Sequence, residues 1–456
     1  QPERLPSVSL RATAPLDPEG SQSARRPPHP APPARGGCPA DAGLRGSDTS
    51  TAAARPASPA TATPAARITA LALLLLNPII VVSTIALTKS PLFAFTFVWW
   101  FGVLYELHSL HTPARTTPAP TPTAHTTHTT PITTPRIPAR TVIALAVSTL
   151  IMLASAKYAV YIVALLLVLA LLADRRRWRT WTIALLIPLI AFQGMLTALT
   201  ATHTIIGGDA IESKGIQLQQ IGRVAQRNPQ GIPQSARDRL APIIDLDAAA
   251  KAYFPQDADR MKSSGSAEDK TIVYRWKTVT ADDMTQFNKA WLEIGKANPV
   301  LYIDAALAKS YGYFDVTDLP YVSALYYMDN GVIKTNAPHI AGWLGGWRDA
   351  VAGVFNGWSR VPVIGWPLHG NFWTILVLVI GAAEVVLRRW RALAFHLPML
   401  LLMGVMITAP ANDFDRHMLP LAFVFAFLAI WFLRDTAAYG GIRRDGYDGT
   451  DTASTA

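Results

Sequence analysis

The stretch ITAPANDFDRHMLPLAFVFAF, residues 407–427, places a short polar link between two apolar runs. Within the link lie two acids, an arginine and a histidine: Asp413, Asp415, Arg416 and His417. Charged side chains are costly inside a bilayer, so such a link is typical of a turn at a membrane surface. The stretch therefore predicts a membrane protein and raises the question of what its polar side chains hold.

The composition agrees with this interpretation. The 456 residues are 50% hydrophobic and 16% charged, and the mean hydropathy is +0.22. Soluble domains usually carry about 25% charged residues. Eight apolar runs alternate with polar blocks along the chain. The expected fold is an all-α integral membrane protein with about eight transmembrane helices and a helical extracytoplasmic domain between spans five and six.

The apolar runs divide the chain into seven parts. In order, we expect a disordered Pro/Ala/Arg-rich tail (1–65), two transmembrane helices (66–110), a Thr/Pro-rich cytoplasmic linker (111–139), three transmembrane helices (140–202), the extracytoplasmic domain (203–369), three transmembrane helices (370–434) and a disordered cytoplasmic tail (435–456). Run 141–154 is the weakest, so 141–174 is either two spans or one broken element.

Basic residues predict the orientation of these spans. With the N-terminus in the cytoplasm, the inside flanks carry fifteen arginines and the short outside loops carry three basic residues, Lys89, Lys157 and Arg416. Cytoplasmic loops of membrane proteins are enriched in basic residues. We therefore expect both termini in the cytoplasm and residues 203–369 outside the cell.

Helical spacing recurs inside the long polar block. Apolar residues repeat at helical spacing in 215–227, and 280–314 reads as two helices separated at the sequence ANP. Its Trp and Tyr side chains suit either core packing or stacking on a sugar. Residues 342–362 are amphipathic and rich in Trp, which predicts a helix lying on the outer leaflet.

Several function classes lack their motifs. The sequence contains no nucleotide-binding glycine loop, no HExxH and no GxSxG, and its single cysteine, Cys38, excludes an internal disulfide and a CxxC site. The net charge of +10 comes from arginines that cluster beside apolar runs, so we expect no nucleic-acid partner. No resident metal is expected.

A few polar residues near the outer membrane level are candidates for chemistry. Asp209, Glu212, Asp413 and Asp415 could serve as a catalytic base or hold a divalent cation. Arg416 and Lys89 could bind a lipid phosphate. The alternative is that all of these are ordinary interface residues at short turns.

Three stretches resemble a known family. ESKGIQLQQIGRV (212–224), FNKAWLEIGKANPVLYIDAALAKSYGYF (287–314) and APANDFDRHMLPL (409–421) are similar to uncharacterised polytopic membrane proteins of Gram-positive bacteria. The resemblance runs from about residue 75 to 434. That family is distantly similar to GT-C glycosyltransferases, which transfer sugars from polyprenyl-phosphate carriers. Arg416-His417 stands where the family is expected to have Arg-Tyr, and the resemblance implies that an N-terminal part with an acidic loop is missing.

Two functions follow from the resemblance and the residues. The first is a GT-C-like enzyme, truncated or degenerate, that acts on a polyprenyl-phosphate-linked sugar at the outer face. The second is a non-catalytic protein of the cell envelope whose outside domain binds a partner or glycan. Membrane lipid is the expected partner in both, and a divalent cation is the one cofactor considered.

Overall fold

The structure is a computed structural model that describes residues 64–86, 90–109, 137–205, 207–262, 272–275, 278–320, 323, 338–390, 392–408 and 414–447. Within these residues the regular structure is helical and no β-strand occurs, which confirms the predicted all-α class. Each of the eight apolar runs forms a helix or a pair of helices. The fold is therefore an apolar helical bundle with a polar helical domain inserted in its sequence.

The bundle consists of nine named segments. They are α1 (Pro64–Leu76), α2 (Pro78–Ile85), α3 (Ser90–Ser109), α4 (Ala139–Ser155), α5 (Ala159–Ala173), α6 (Arg175–Ala201), α14 (Gly370–Val386), α15 (Leu393–Thr408) and α16 (Asp415–Tyr447). The numbers between α6 and α14 belong to the polar domain and to the two helices that follow it. Residues from seven of these segments share one apolar core.

Three of these segments are long and apolar enough to cross a membrane. They lie in α3, α6 and α16, and a fourth crossing results if the bent pair α1–α2 counts as one span. The helices α4, α5, α14 and α15 are apolar but only 15–17 residues long. Less than a quarter of the α6 window is buried, so this helix presents an apolar surface that suits lipid.

The first of the two transmembrane helices expected within 66–110 is divided by a bend of 62° between α1 and α2. Asn77 stands at the break and Pro78 begins the second helix. Proline lacks the N–H that would continue the helical hydrogen bonds, and its ring crowds the preceding turn. A proline likewise follows the π-helical turn Thr182–Leu186 inside α6, at Pro188.

Polar side chains connect α3 to α4 at three levels. The Trp100 indole donates to the Thr149 hydroxyl at 3.1 Å, and both residues are buried. Thr96 and Ser155 hydroxyls meet at 3.4 Å toward one end of the pair, and Thr141 donates to Glu106 at 3.1 Å toward the other. Such interhelical bonds contribute about 0.6 kcal/mol each in apolar bundles.

Residues 141–174 form two separate helices. The turn Ala156–Tyr158 divides α4 from α5, and the two helices contact each other. The chain then passes directly into α6, which packs against α4. The polar side chains of the turn thus lie at the same end of the bundle as the first residues of α3.

The polar domain has its own core built from helices α7 to α11. These are α7 (Gly215–Arg227), α8 (Gln234–Leu240), α9 (Leu246–Ala252), α10 (Ala281–Ala297) and α11 (Pro299–Ser310). The expected helices at 215–227, 280–296 and 299–310 are confirmed, and Thr280 forms a capping box with Asp283. Pro299 opens α11, as the break at ANP predicts.

Aromatic residues of this domain pack in its core. Trp291 stacks on Tyr302 with ring centroids 6.2 Å apart, and its indole donates to the Gln220 amide oxygen at 2.7 Å. The Tyr302 hydroxyl donates to the Trp291 carbonyl at 2.7 Å. Of the two roles considered for these rings, core packing is the one that the structure supports.

Two further helices follow the polar domain, α12 (Pro338–Gly342) and α13 (Gly345–Ser359). One face of α13, with Phe355 and Trp358, packs on a cluster of bundle residues. Trp347 on α13 and Trp343 just before it are 52% and 71% exposed. The expected amphipathic helix is confirmed, with tryptophans of the kind that sit at membrane interfaces.

The C-terminal tail differs from its prediction. Disorder was expected from residue 435, but α16 continues to Tyr447. Extending an existing helix costs far less than nucleating one. The Thr436 hydroxyl bonds to the Phe432 carbonyl, and Arg389 lies 3.6 Å from Asp435, so the first turn beyond the apolar run is held in place.

Candidate functional site

The polar domain meets the bundle at the polar link quoted above. The end of the bundle that bears the first residues of α14 and α16 and the last residues of α15 is called here the domain end. Five buried polar residues make this contact: Lys309, Tyr313, Asn371, Asp415 and His417. They are called the joint below.

Asp415 connects the start of α16 to the start of α14. Its side chain is fully buried, and Oδ1 accepts a hydrogen bond from the Gly370 N–H at 2.7 Å. The first N–H groups of a helix lack partners within the helix, and a carboxylate there also interacts favourably with the positive end of the helix dipole. Asp415 therefore caps α14 from the start of α16.

Lys309 connects α11 of the polar domain to α15. Its side chain is buried, and Nζ donates to the Ile407 carbonyl in the last turn of α15 at 3.1 Å. Burial is the largest cause, and together with the charge of Lys262 it lowers the pKa of Lys309 from 10.5 to about 7, while Asp259 opposes the shift. The lysine thus satisfies a helix end as a donor without requiring a full charge.

Asn371 fixes the segment that follows α11. Its amide nitrogen donates to the carbonyls of Asp315 and Asp318 at 2.6 and 2.8 Å. Its amide oxygen accepts from the Phe372 N–H at 2.9 Å. A buried amide with all these partners stabilises one arrangement of the chain, since leaving them unpaired would cost free energy.

His417 lies among aromatic rings. It stacks on Phe414 at 5.5 Å and 19°, and the Tyr158 ring meets it edge-on at 6.3 Å. Nδ1 shares a 2.9 Å hydrogen bond with the Tyr313 hydroxyl. The histidine expected to replace a family tyrosine therefore occupies an aromatic environment that a tyrosine ring would also suit.

Arg416 and Lys157 are the cations near this aromatic group. The Arg416 guanidinium lies 4.8 Å from the Phe414 ring centroid. Its positive charge also interacts electrostatically with the Tyr158 hydroxyl. Lys157 directly precedes Tyr158 and is exposed. Its Nζ lies 3.5 Å from the position that a β-carbon would take on Gly208. Two cations therefore flank Tyr158 at the domain end.

The predicted acids Asp209 and Glu212 lie just after Gly208, on one exposed segment. Asp209 Oδ1 accepts from the Tyr274 hydroxyl at 2.8 Å and from the Ile211 N–H at 2.9 Å. Burial and this carboxylate raise the pKa of Tyr274. Glu212 pairs with Lys262 at 2.9 Å, and its side chain remains 55% exposed.

Three of the four candidate acids lie within the described residues, and each accepts a hydrogen bond from a protein donor: Asp209, Glu212 and Asp415. Asp413 and Lys89 lie outside the described residues. Within the described part of the chain, no three His, Cys, Asp or Glu side chains converge on a position that would hold a metal ion. The divalent cation considered from the sequence stays a prediction.

The structure adds Lys157, Tyr158 and Lys309 to the residues expected at this site. Lys157 has a signal in the sequence, because it is one of only three basic residues in the short loops that the sequence predicts to lie outside. Lys309 has no such signal, because its surroundings in the sequence, ALAKSY (306–311), are typical of an ordinary exposed helix surface. Its role depends on Ile407, 98 residues away.

Comparisons with known proteins give one match. The family of unknown function DUF6020 matches residues 28–443, and so extends beyond the described bundle into the N-terminal tail. No curated protein matches this chain, and no solved structure does. The match covers most of the sequence, so the chain belongs to this family of unknown function.

Proposed function

We propose that the chain is an eight-span membrane protein that binds a polyprenyl-phosphate-linked sugar at the outer face. In this proposal every apolar run crosses the membrane, both termini are cytoplasmic and the polar domain is extracellular. The fifteen-to-three distribution of basic residues supports this orientation. The domain end of the bundle is then the outer end.

One observation carries the binding site. Arg416 and exposed Lys157 flank Tyr158, beside the segment that bears Asp209 and Glu212. Arginine can hold a phosphate through two parallel hydrogen bonds, and lysine adds a mobile charge. Tyr158, whose ring contacts Phe93 and His417, lies next to Lys157. The phosphate would lie on the two cations and the polyprenyl chain would extend along the exposed apolar helices.

Transfer of the sugar would require a base for the acceptor hydroxyl. The base would take the hydroxyl proton as the acceptor oxygen bonds to the sugar carbon, and the polyprenyl phosphate would leave with the bonding electrons. Among the candidate acids within the described residues, Glu212 is the best placed to act as this base. Its side chain is half exposed, while Asp415 is buried against Gly370. Asp209, Asp413 and Asp415 remain predictions.

Binding can be measured with a radiolabelled polyprenyl-phosphate hexose in vesicles that contain the full chain. Arg416→Gln is expected to weaken binding about 10- to 100-fold, since a hydrogen bond to a charged group contributes about 1.5–3 kcal/mol. Arg227→Gln, an exposed arginine on α7, is the matched control and should bind like the wild type. Equal binding by the two variants would refute the proposed site.

Glu212→Gln separates binding from transfer. It should retain binding of the labelled lipid and lose release of polyprenyl phosphate. If the wild type binds the lipid but releases no polyprenyl phosphate with any glycan acceptor supplied, the enzymatic part of the proposal is wrong and the binding part stands.

A second candidate function is a non-catalytic one, in which the outside domain binds a partner protein. An exposed apolar row on α11 favours it: Val300, Ile303 and Leu307 are 76%, 62% and 65% exposed. A photocrosslinker at residue 303 in intact cells should then give an adduct of protein mass, and the same probe at exposed Lys289 should not. Only lipid-sized adducts at residue 303 would count against this function.

A further inference from the structure

An apolar cavity of about 160 Å³ lies at the other end of the bundle. It is lined by α1, α3, α15 and α16, and its apolar wall includes Phe101, Phe427 and Trp431. Apolar cavities of about 150 Å³ hold a benzene-sized molecule. This one is therefore large enough for a segment of a hydrocarbon chain.

The cavity and the joint lie at opposite ends of the same helices. Tyr105 and Phe395, which line it, stand near the end of α3 and near the start of α15. The joint lies at the opposite ends of these helices, where Ile407 and Phe93 are found. The cavity thus shares no residue with the site at the domain end.

Two arginines belong to the same lining. Arg67 on α1 and Arg434 on α16 are both exposed. Within the described residues neither guanidinium forms an ion pair with a carboxylate, and Asp435, which follows Arg434, lies 3.6 Å from Arg389. Tyr105 adds a hydroxyl to the lining. The cavity therefore combines an apolar interior with two cations from facing helices.

Open space inside the cavity adjoins a glycine. Gly102 lines the cavity, and no heavy atom lies within 4 Å of the position that a β-carbon would take there. The four-helix wall thus leaves room beside α3 that the chain's own described side chains do not fill. A side chain added at this position would therefore start in open space.

We propose that this cavity binds one anionic glycerophospholipid, with an acyl chain beside Gly102 and its headgroup phosphate on Arg67 and Arg434. Charge complementarity selects this occupant, because each arginine near an anionic lipid surface strengthens binding about fivefold. A phosphate also matches the bidentate geometry of a guanidinium. By the charge distribution of the sequence, this site lies in the cytoplasmic leaflet.

Native mass spectrometry of the full chain with added phosphatidylglycerol or phosphatidylcholine tests the site. The wild type should retain phosphatidylglycerol preferentially. Replacing both arginines, as Arg67→Gln with Arg434→Gln, should weaken retention of phosphatidylglycerol about 25-fold, from the two fivefold contributions. Arg176→Gln, an exposed arginine at the same end of the bundle, should have no effect.

A second pair of variants tests the apolar part. Gly102→Leu should reduce retention of both lipids by filling the cavity, and Gly194→Leu should not, although its β-carbon position in α6 is equally open. Equal retention of the two lipids by the wild type, or no loss in the double arginine variant, would overturn the proposal. So would a dimer that Gly102→Leu dissociates, since a second copy would then fill the cavity.

Discussion

Gly370→Ala should lower the apparent melting temperature of the detergent-solubilised protein strongly, although it adds a single methyl group. The new β-carbon would lie 2.6 Å from Met418 Cβ and 3.2 Å from Asp415 Oδ1. Overpacking of this kind costs about 1–3 kcal/mol, and moving Asp415 away would weaken the buried hydrogen bond to the Gly370 N–H by a similar amount. We expect a total loss of roughly 2–5 kcal/mol.

Gly404→Ala is the matched control for this loss. Gly404 lies in α15, and a β-carbon there would meet no heavy atom within 4 Å. Alanine favours a helix over glycine by up to about 1 kcal/mol, so this variant should melt at or slightly above the wild-type temperature. Thermal unfolding followed by tryptophan fluorescence compares the two, and similar melting temperatures would show that α14 and α16 can separate without cost.

Lys309→Met should change how stability depends on pH. The folded protein holds this lysine with a pKa of about 7, while the unfolded chain has the usual 10.5. Between these values the unfolded state binds more protons, so the wild-type free energy of unfolding should rise as the pH rises from 7 to 10. The rise from this group is on the order of several kcal/mol. The methionine variant should lack it.

The two curves should therefore cross. Near pH 7 the variant avoids the cost of a buried charge and should be the more stable protein. Near pH 10 the wild type keeps a neutral amine that donates to the Ile407 carbonyl and should be equal or better. Lys289→Met, an exposed lysine on α10, should run parallel to the wild type. A parallel curve for Lys309→Met would show that the amine is solvated.

Local patterns of the sequence predict the helices well. The caps at Thr280 and Asn298 and the apolar face of Phe287, Trp291 and Ile294 are visible because each depends on residues within a few positions. The same holds for the apolar runs, which are helical as expected. The bend at Pro78 was available from the sequence too, since a proline within an apolar run marks a break.

The contacts of the joint could not be predicted in this way. Asp415 bonds to Gly370, which lies 45 residues earlier, and Tyr313 bonds to His417 across 104 residues. No local period encodes such pairs. The sequence suggests catalysis or cation binding for Asp415, whereas the structure pairs Asp415 with Gly370 and His417 with Tyr313.

The short helices of the bundle have a consequence for the membrane itself. A helix rises about 1.5 Å per residue, so α4, α5, α14 and α15, at 15–17 residues, are about 22–26 Å long. The hydrocarbon core of a typical bilayer is about 30 Å thick. If all eight apolar runs cross the membrane, as proposed, lipids beside these four helices must compress to match them. The protein would then be surrounded by a thinned patch of bilayer, which brings the headgroups of the two leaflets closer together and favours membranes of below-average thickness.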